Sequence, residues 1–184
     1  MKIGVLSDTH GDLSAWQAAW DRVLHDCDLV IHCGDILYHG PKFVPGPDYN
    51  PRELAAALNQ LPIPVLFVKG NADSEVDTLV IEAPIQSPYL LAQVEGMRIL
   101  ATHGHLQPPE DLLSLAAKWK VDWLLTGHLH VPCTQLADGV RHLNPGSTTY
   151  PLSQKPELCV PTCAYIEDDT AIVVDLDRCE PLDL

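Results

Sequence analysis

The chain has 184 residues, 46% hydrophobic and 20% charged, with a formal net charge of −14. That length supports one domain, residues 1–184, with a substantial core, and the composition is that of an ordinary globular protein. The acidic balance and the lack of a basic stripe argue against a long nucleic acid as partner. No run approaches the ~18 consecutive apolar residues of a membrane span.

In chain order, residues 2–7 predict a buried strand that ends at Asp8-Thr9-His10. This opening is too short for a secretory signal, so a cytoplasmic protein is expected, with no membrane partner. Asp12 is a suitable N-cap for a helix carrying Leu13, Trp16, Ala19, Trp20, Val23 and Leu24. Residues 28–33 predict a second strand closed by Gly34-Asp35. Residues 36–50, with Pro41, Pro45, Gly46 and Pro47, predict a long loop of the kind that is usually functional or disordered. A short helix from about Pro51 to Leu61 and a third strand, 64–68, end at Gly70-Asn71. This β-α-β-α-β order predicts parallel strands with helical crossovers.

The second half changes character. Strands 89–94 and 97–102 flank the turn dipeptide Glu95-Gly96, a helix spans about Pro109 to Lys118, and a strand covers 122–126. Two more hairpins follow, 133–137 with 140–143 around Asp138-Gly139, and 162–167 with 170–176 around Asp168-Asp169. The expected fold class is α/β, with two mixed sheets packed together and helices outside.

Polar motifs recur where strands end. Asp8 and His10 lie two residues apart, and in extended backbone such residues point the same way, so both can reach one metal ion. His128 and His130 repeat that spacing after strand 122–126. Gly34-Asp35 and Gly70-Asn71 follow strands, where glycine permits a sharp turn and close approach to an ion. Asp35 has two oxygens and can bridge two metals, and Asn71 offers a neutral carbonyl oxygen. His103 ends strand 97–102 and is preferred as a ligand over His105, which is placed behind it or facing substrate. Two carboxylates, an amide and four imidazoles suit a pair of divalent cations. The six cysteines include no C-x-x-C pair and are read as reduced, non-ligating thiols.

These residues, in this order, resemble the calcineurin-like metallophosphoesterase superfamily, more narrowly its small bacterial YfcE-type phosphodiesterases. The likeness runs from Ser7-Asp8-Thr9-His10-Gly11 to Asn144-Pro145-Gly146-Ser147, with Gly34-Asp35-Ile36-Leu37-Tyr38-His39-Gly40-Pro41 and Gly70-Asn71-Ala72-Asp73-Ser74-Glu75-Val76-Asp77 pointing to the subgroup. It implies a four-layer sandwich. It also implies two metal sites, one held by Asp8, His10, Asp35 and His130 and the other by Asp35, Asn71, His103 and His128, with Asp35 bridging. Asp35, Asn71 and His103 would share in catalysis. Manganese is the implied metal, with zinc, nickel, cobalt or iron as alternatives. A metal-activated hydroxide would hydrolyse small phosphodiesters. Many superfamily members carry a histidine after the Gly-Asn pair to protonate the leaving group. Ala72 stands there instead, so the chemistry would depend on the metals alone or on another donor, such as His39 or His105.

Several residues keep two readings. Asp73 either hydrogen-bonds a ligating imidazole or caps a turn. Tyr38, His39, Lys42 and Tyr49 either border a substrate pocket, with Lys42 meeting a phosphate, or lie on a solvated loop. The four tryptophans are assigned to core packing. The competing functions are a phosphomonoesterase and a non-catalytic binding or scaffold protein of the same fold. The retained Asp35 and Asn71 favour an enzyme. The hairpin edges can support a homo-oligomer, dimer or tetramer.

Overall fold

The computed structural model describes residues 1–184. Four strands run parallel in the first sheet: β1 (Ile3–Leu6), β2 (Leu29–His32), β3 (Val65–Val68) and β4 (Ile85–Gln86). Helix α1 (Leu13–Arg22) joins β1 to β2, α2 (Pro51–Asn59) joins β2 to β3, and the single turn α3 (Asp77–Val80) precedes β4. The caps are those the sequence indicates. Asp12 accepts a 2.9 Å bond from the Ala15 amide, and Pro51 occupies the first turn of α2 behind Asn50.

The second sheet contains β5 (Leu90–Val94), β6 (Met97–Ala101), β7 (Trp123–Leu125), β8 (Cys133–Ala137) and β9 (Val140–Asn144), in the order β5-β6-β7-β9-β8, with α4 (Pro109–Lys118) crossing from β6 to β7. The chain then returns to the first sheet through β10 (Thr162–Glu167), β11 (Thr170–Asp175) and β12 (Glu180–Pro181), giving the order β12-β11-β10-β1-β2-β3-β4. Sequence patterning locates all of these except α3, β4 and β12, which have four, two and two residues and are too short to show a period.

Alternation along the strands builds three apolar layers. Ile3, Val5, Leu29 and Ile31 point inward to meet Ile99, Trp123 and Leu125 between the sheets. Leu6, Val30 and Phe67 point outward to pack on Trp16 of α1 and Leu54 of α2. Leu100 and Leu124 face Leu112 and Ala116 of α4. Helices, sheet, sheet and helix thus form the four expected layers, because parallel strands buried on both faces need cover on both. Trp16 and Trp123 are each 2% exposed, and Trp20 and Trp119 pack against the same layers. The arrangement brings the carboxyl ends of β1, β2, β3, β6 and β7 to one edge, where ligands gather in such sheets.

One buried histidine has a purely architectural place. His142 of β9 is 4% exposed, its Nδ1 accepts from the Gln135 amide at 3.1 Å and its Nε2–H donates to Thr126 Oγ1 at 2.8 Å. Burial pushes it down from 6.5 to about 4. The unfolded chain therefore takes up this proton first as pH falls, so the contribution to stability is complete above about pH 6.5 and shrinks between there and pH 4. We expect His142→Gln to flatten the fall of the urea midpoint over that window, relative to the parent protein.

Candidate metal centre

Five of the seven candidate side chains of the centre leave a strand end on a sharply turned backbone. Asp8, His10, Asp35, His128 and His130 all adopt the left-handed region, with φ of 57°, 47°, 56°, 67° and 55°. Non-glycine residues rarely occupy it, and it costs of order 1–3 kcal/mol each, so such residues persist where surroundings over-determine them and often mark functional sites. This corrects one detail of the sequence reading. Asp8 and His10 share a direction because two left-handed residues flank Thr9, not because the backbone is extended, and His128 and His130 flank Leu129 in the same way.

The loops are sewn to one another. The amides of Asp8, His10 and Gly11 donate to the carbonyls of Gly34, Asp35 and Ile36, each at 2.9 Å. Beneath them His32, fully buried, accepts the Gly34 amide on Nδ1 at 3.1 Å and donates from Nε2 to Thr9 Oγ1 at 3.0 Å; that hydroxyl donates on to Ile36 O at 2.8 Å. Burial pushes His32 down to about 3, so it stays neutral in this relay. Asp73 neither touches an imidazole nor merely closes its own turn. Its carboxylate accepts the amides of Asp35, Ile36 and Gly70 at 2.9, 2.7 and 2.7 Å, tying the second loop to the third. Gly70 lies so close to Asp35 that any Cβ there would run into the Asp35 backbone nitrogen. On the far side, Ser147 Oγ donates to Asp8 O at 2.8 Å and the Asn144 amide donates to Gly127 O at 2.8 Å.

Within this frame, three imidazoles have fixed tautomers. His10, His103 and His130 donate Nδ1–H to the carbonyls of Tyr38, Cys33 and Tyr150 at 2.8, 2.8 and 2.6 Å. Their Nε2 lone pairs therefore face the carboxylates. His10 Nε2 and His130 Nε2 stand 3.3 Å apart, and Asp8 Oδ1 lies 3.7 and 3.1 Å from them. His103 Nε2 lies 3.4 Å from Asp35 Oδ2, 4.0 Å from Asp8 Oδ1 and 3.1 Å from Asn71 Oδ1. Asp35 Oδ2 also comes within 3.8 Å of His10 Nε2. Two overlapping groups result, Asp8-His10-His130 and Asp8-Asp35-His103, each compact enough to grip an ion.

Acceptors converging on acceptors demand positive charge. Asp8 Oδ1 is buried and has no hydrogen-bond donor. Without a cation, only protons can meet the demand. Burial alone would lower His103, yet the Asp35 hydrogen bond and the charges of Asp8 and Asp35 raise it to about 9. His130 is raised in the same way by Asp8, against its burial. Burial alone would raise Asp8, but His130 and His103 hold it well below the usual carboxylate range. The set of carboxylate oxygens, imidazole nitrogens and one amide oxygen fits divalent cations of borderline character.

The remaining candidates lie further out. His128 donates its backbone amide to Asp8 Oδ2 at 3.1 Å, while its half-buried ring stands 5.1 Å from the His103 ring without meeting a carboxylate. His105 packs 5.3 Å from His103, and its Nδ1 has no partner. His39 donates Nδ1–H to Gly40 O, with its ring between Tyr38 and Tyr49, outside the cluster. Lys42 is exposed, its ammonium 5.3 Å over the Phe43 ring. Sequence reasoning missed Phe43 and Tyr150. They stack at 4.2 Å with a 5° interplanar angle and roof His10 and His130. An aromatic residue within the long loop was the available signal.

The chain matches the family model for the calcineurin-like phosphoesterase superfamily domain over residues 1–168. It is 35% identical to Phosphodiesterase YfcE of Escherichia coli K12 over 178 residues, which cover 96% of this chain and 93% of that protein. The solved structure of the E. coli phosphoesterase YfcE superposes with a TM-score of 0.87 at 30% identity, covering 100% of this chain and 97% of that one. Vps29 of Entamoeba histolytica, solved with zinc, has a TM-score of 0.63 at 22% identity, covering 94% and 90% of the two chains, a likeness of fold alone.

Replacing Asp73 tests the sewing of the loops. Asp73→Asn turns one acceptor oxygen into a donor that opposes a buried amide. The expected loss is about 1–3 kcal/mol in urea unfolding of the metal-free protein, accompanied by weaker metal retention after dialysis.

Proposed function

The chain belongs to the calcineurin-like phosphoesterase superfamily, and on that premise we propose that it is a dinuclear metal-dependent phosphodiesterase acting on small phosphodiesters. The observation that carries this reading is the burial of Asp8 Oδ1 beside the Nε2 atoms of His10 and His130, with Asp35 Oδ2 between His10 and His103. In this reading Asp8, His10, Asp35 and His130 hold one ion. Asp35, Asn71, His103 and His128 would hold the other. No helix is long and apolar enough to cross a membrane. The six free thiols accord with a reducing, cytoplasmic setting.

Divalent ions bound in such a cradle would supply the chemistry of an acidified water, a polarised phosphoryl oxygen and charge compensation on the phosphoryl group. Oxygen and imidazole ligands without a thiolate suit manganese, iron, nickel, cobalt or zinc, and among these we assign manganese on the resemblance to the YfcE-type phosphodiesterases. The side chains do the positioning. The Nδ1–H bonds to Tyr38, Cys33 and Tyr150 hold three rings with lone pairs inward. Phe43 and Tyr150 exclude water from the His10–His130 side. The Ala72 methyl can donate no proton, whereas its amide donates to Asp35 Oδ1 at 2.7 Å and orients that carboxylate. His105 is half-buried with its Nδ1 enclosed and unpartnered, so only its Nε2 edge is left to meet a leaving alcohol; His39 has its Nδ1–H committed to Gly40.

With manganese added, the protein should hydrolyse bis(p-nitrophenyl) phosphate and act poorly on alkyl monoesters such as sugar phosphates, because a poor leaving group needs a stronger acid than the site offers. Comparable turnover of both would contradict the reading. Asp35→Asn should lower diester turnover by about a hundredfold or more and reduce the metal retained on purification. A fully active variant would remove Asp35 from the centre.

A further inference from the structure

The centre is roofed on one side by Phe43 and Tyr150 and open on the other, where Asn71 is exposed and Ala72 and His105 are half-buried. On that open side Ala72 also lines a cleft of about 650 Å³, together with Leu37, Tyr38, Tyr49, Arg52 and Ala56. Cleft and centre share two fixed points. The Tyr38 carbonyl accepts from His10 Nδ1 at 2.8 Å, and the Ala72 amide donates to Asp35 Oδ1 at 2.7 Å. The side chain at their common edge is only a methyl group.

We propose that this cleft is the subsite for one ester group of the diester, and that the group is a planar aromatic one whose acceptor or anionic edge meets Arg52. The inference rests on the phosphodiesterase reading and deepens it by naming the substrate class. Seven of the twelve lining residues are hydrophobic, and the volume lies within the ~300–1,000 Å³ range of small-molecule sites. Tyr38 and Tyr49 supply aromatic surface for stacking. Arg52 is exposed, and the lysine and arginine side chains that form ion pairs in this chain are Lys2, Lys69 and Arg178 instead. Asp77 also lines the cleft, its carboxylate accepting the Ser74 amide at 2.7 Å, so the unpaired guanidinium favours a ligand whose ring fills the apolar part and whose acceptor or anionic edge reaches Arg52 and stays clear of Asp77.

Phosphonates separate the ring from the phosphoryl group. Calorimetry on the manganese-loaded protein should show phenylphosphonate binding about tenfold or more tighter than methylphosphonate, the gain expected for burying one phenyl group. Ala56→Phe, at a half-buried helix position, should fill the cleft and bring that ratio close to one, with methylphosphonate affinity unchanged. 4-Carboxyphenylphosphonate should bind roughly two- to fivefold tighter than phenylphosphonate, an exposed-pair increment, and Arg52→Ala should remove that increment. Equal affinity of the wild-type protein for phenyl- and methylphosphonate would overturn the proposal, as would full selectivity retained in Ala56→Phe. Selective phenylphosphonate binding without hydrolysis of bis(p-nitrophenyl) phosphate would sink the catalytic reading and leave the cleft assignment standing; hydrolysis without phenyl selectivity would do the reverse.

Discussion

Converging electron pairs set the terms for the rest of this structure. Three imidazoles are locked with Nδ1–H on backbone carbonyls, so their Nε2 lone pairs face one another and two carboxylates inside a nearly dry space. Uncompensated, such a cluster repels itself and desolvates charge, which is costly in a low dielectric. Positive charge is the only remedy. Protons supply it in part, as the raised His103 and His130 show. Divalent cations suit it better, because they answer several lone pairs at once.

Holding that arrangement requires a frame that cannot relax. Five residues bearing the candidate ligands sit in left-handed backbone, and each would drift toward an ordinary conformation if its loop were free. Asp73 on three amides, the His32–Thr9–Ile36 relay and Ser147 on Asp8 O remove that freedom. The three apolar layers beneath make the strand ends rigid. The fold thus stabilises strained loops so that candidate ligands from five strand ends converge on one edge of the sheets.

Much of this is legible in the sequence, for identifiable reasons. The strands alternate or run apolar over four residues or more, and helix caps and turn dipeptides punctuate them, so layers and order follow from local pattern. The candidate ligand residues stand out because Asp-x-His and His-x-His follow strands. What stays hidden is long-range or too short. Nothing near Asp73 reveals that its partners are amides at Asp35 and Ile36. Phe43 and Tyr150 lie 107 positions apart in the numbering and meet only through the fold. The left-handed backbone at Asp8 and His10 is equally invisible, since neither residue is glycine. His128 bears the right spacing, yet its ring remains at the rim.

The account turns on whether this cradle binds two cations. Crystals soaked in manganese and measured with anomalous scattering decide it directly. The account predicts two peaks roughly 3.5–4 Å apart, one beside Asp8, His10 and His130 and the other beside Asn71, His103 and His128, with Asp35 between them. A map with no peak there, or with manganese bound only elsewhere, would contradict it.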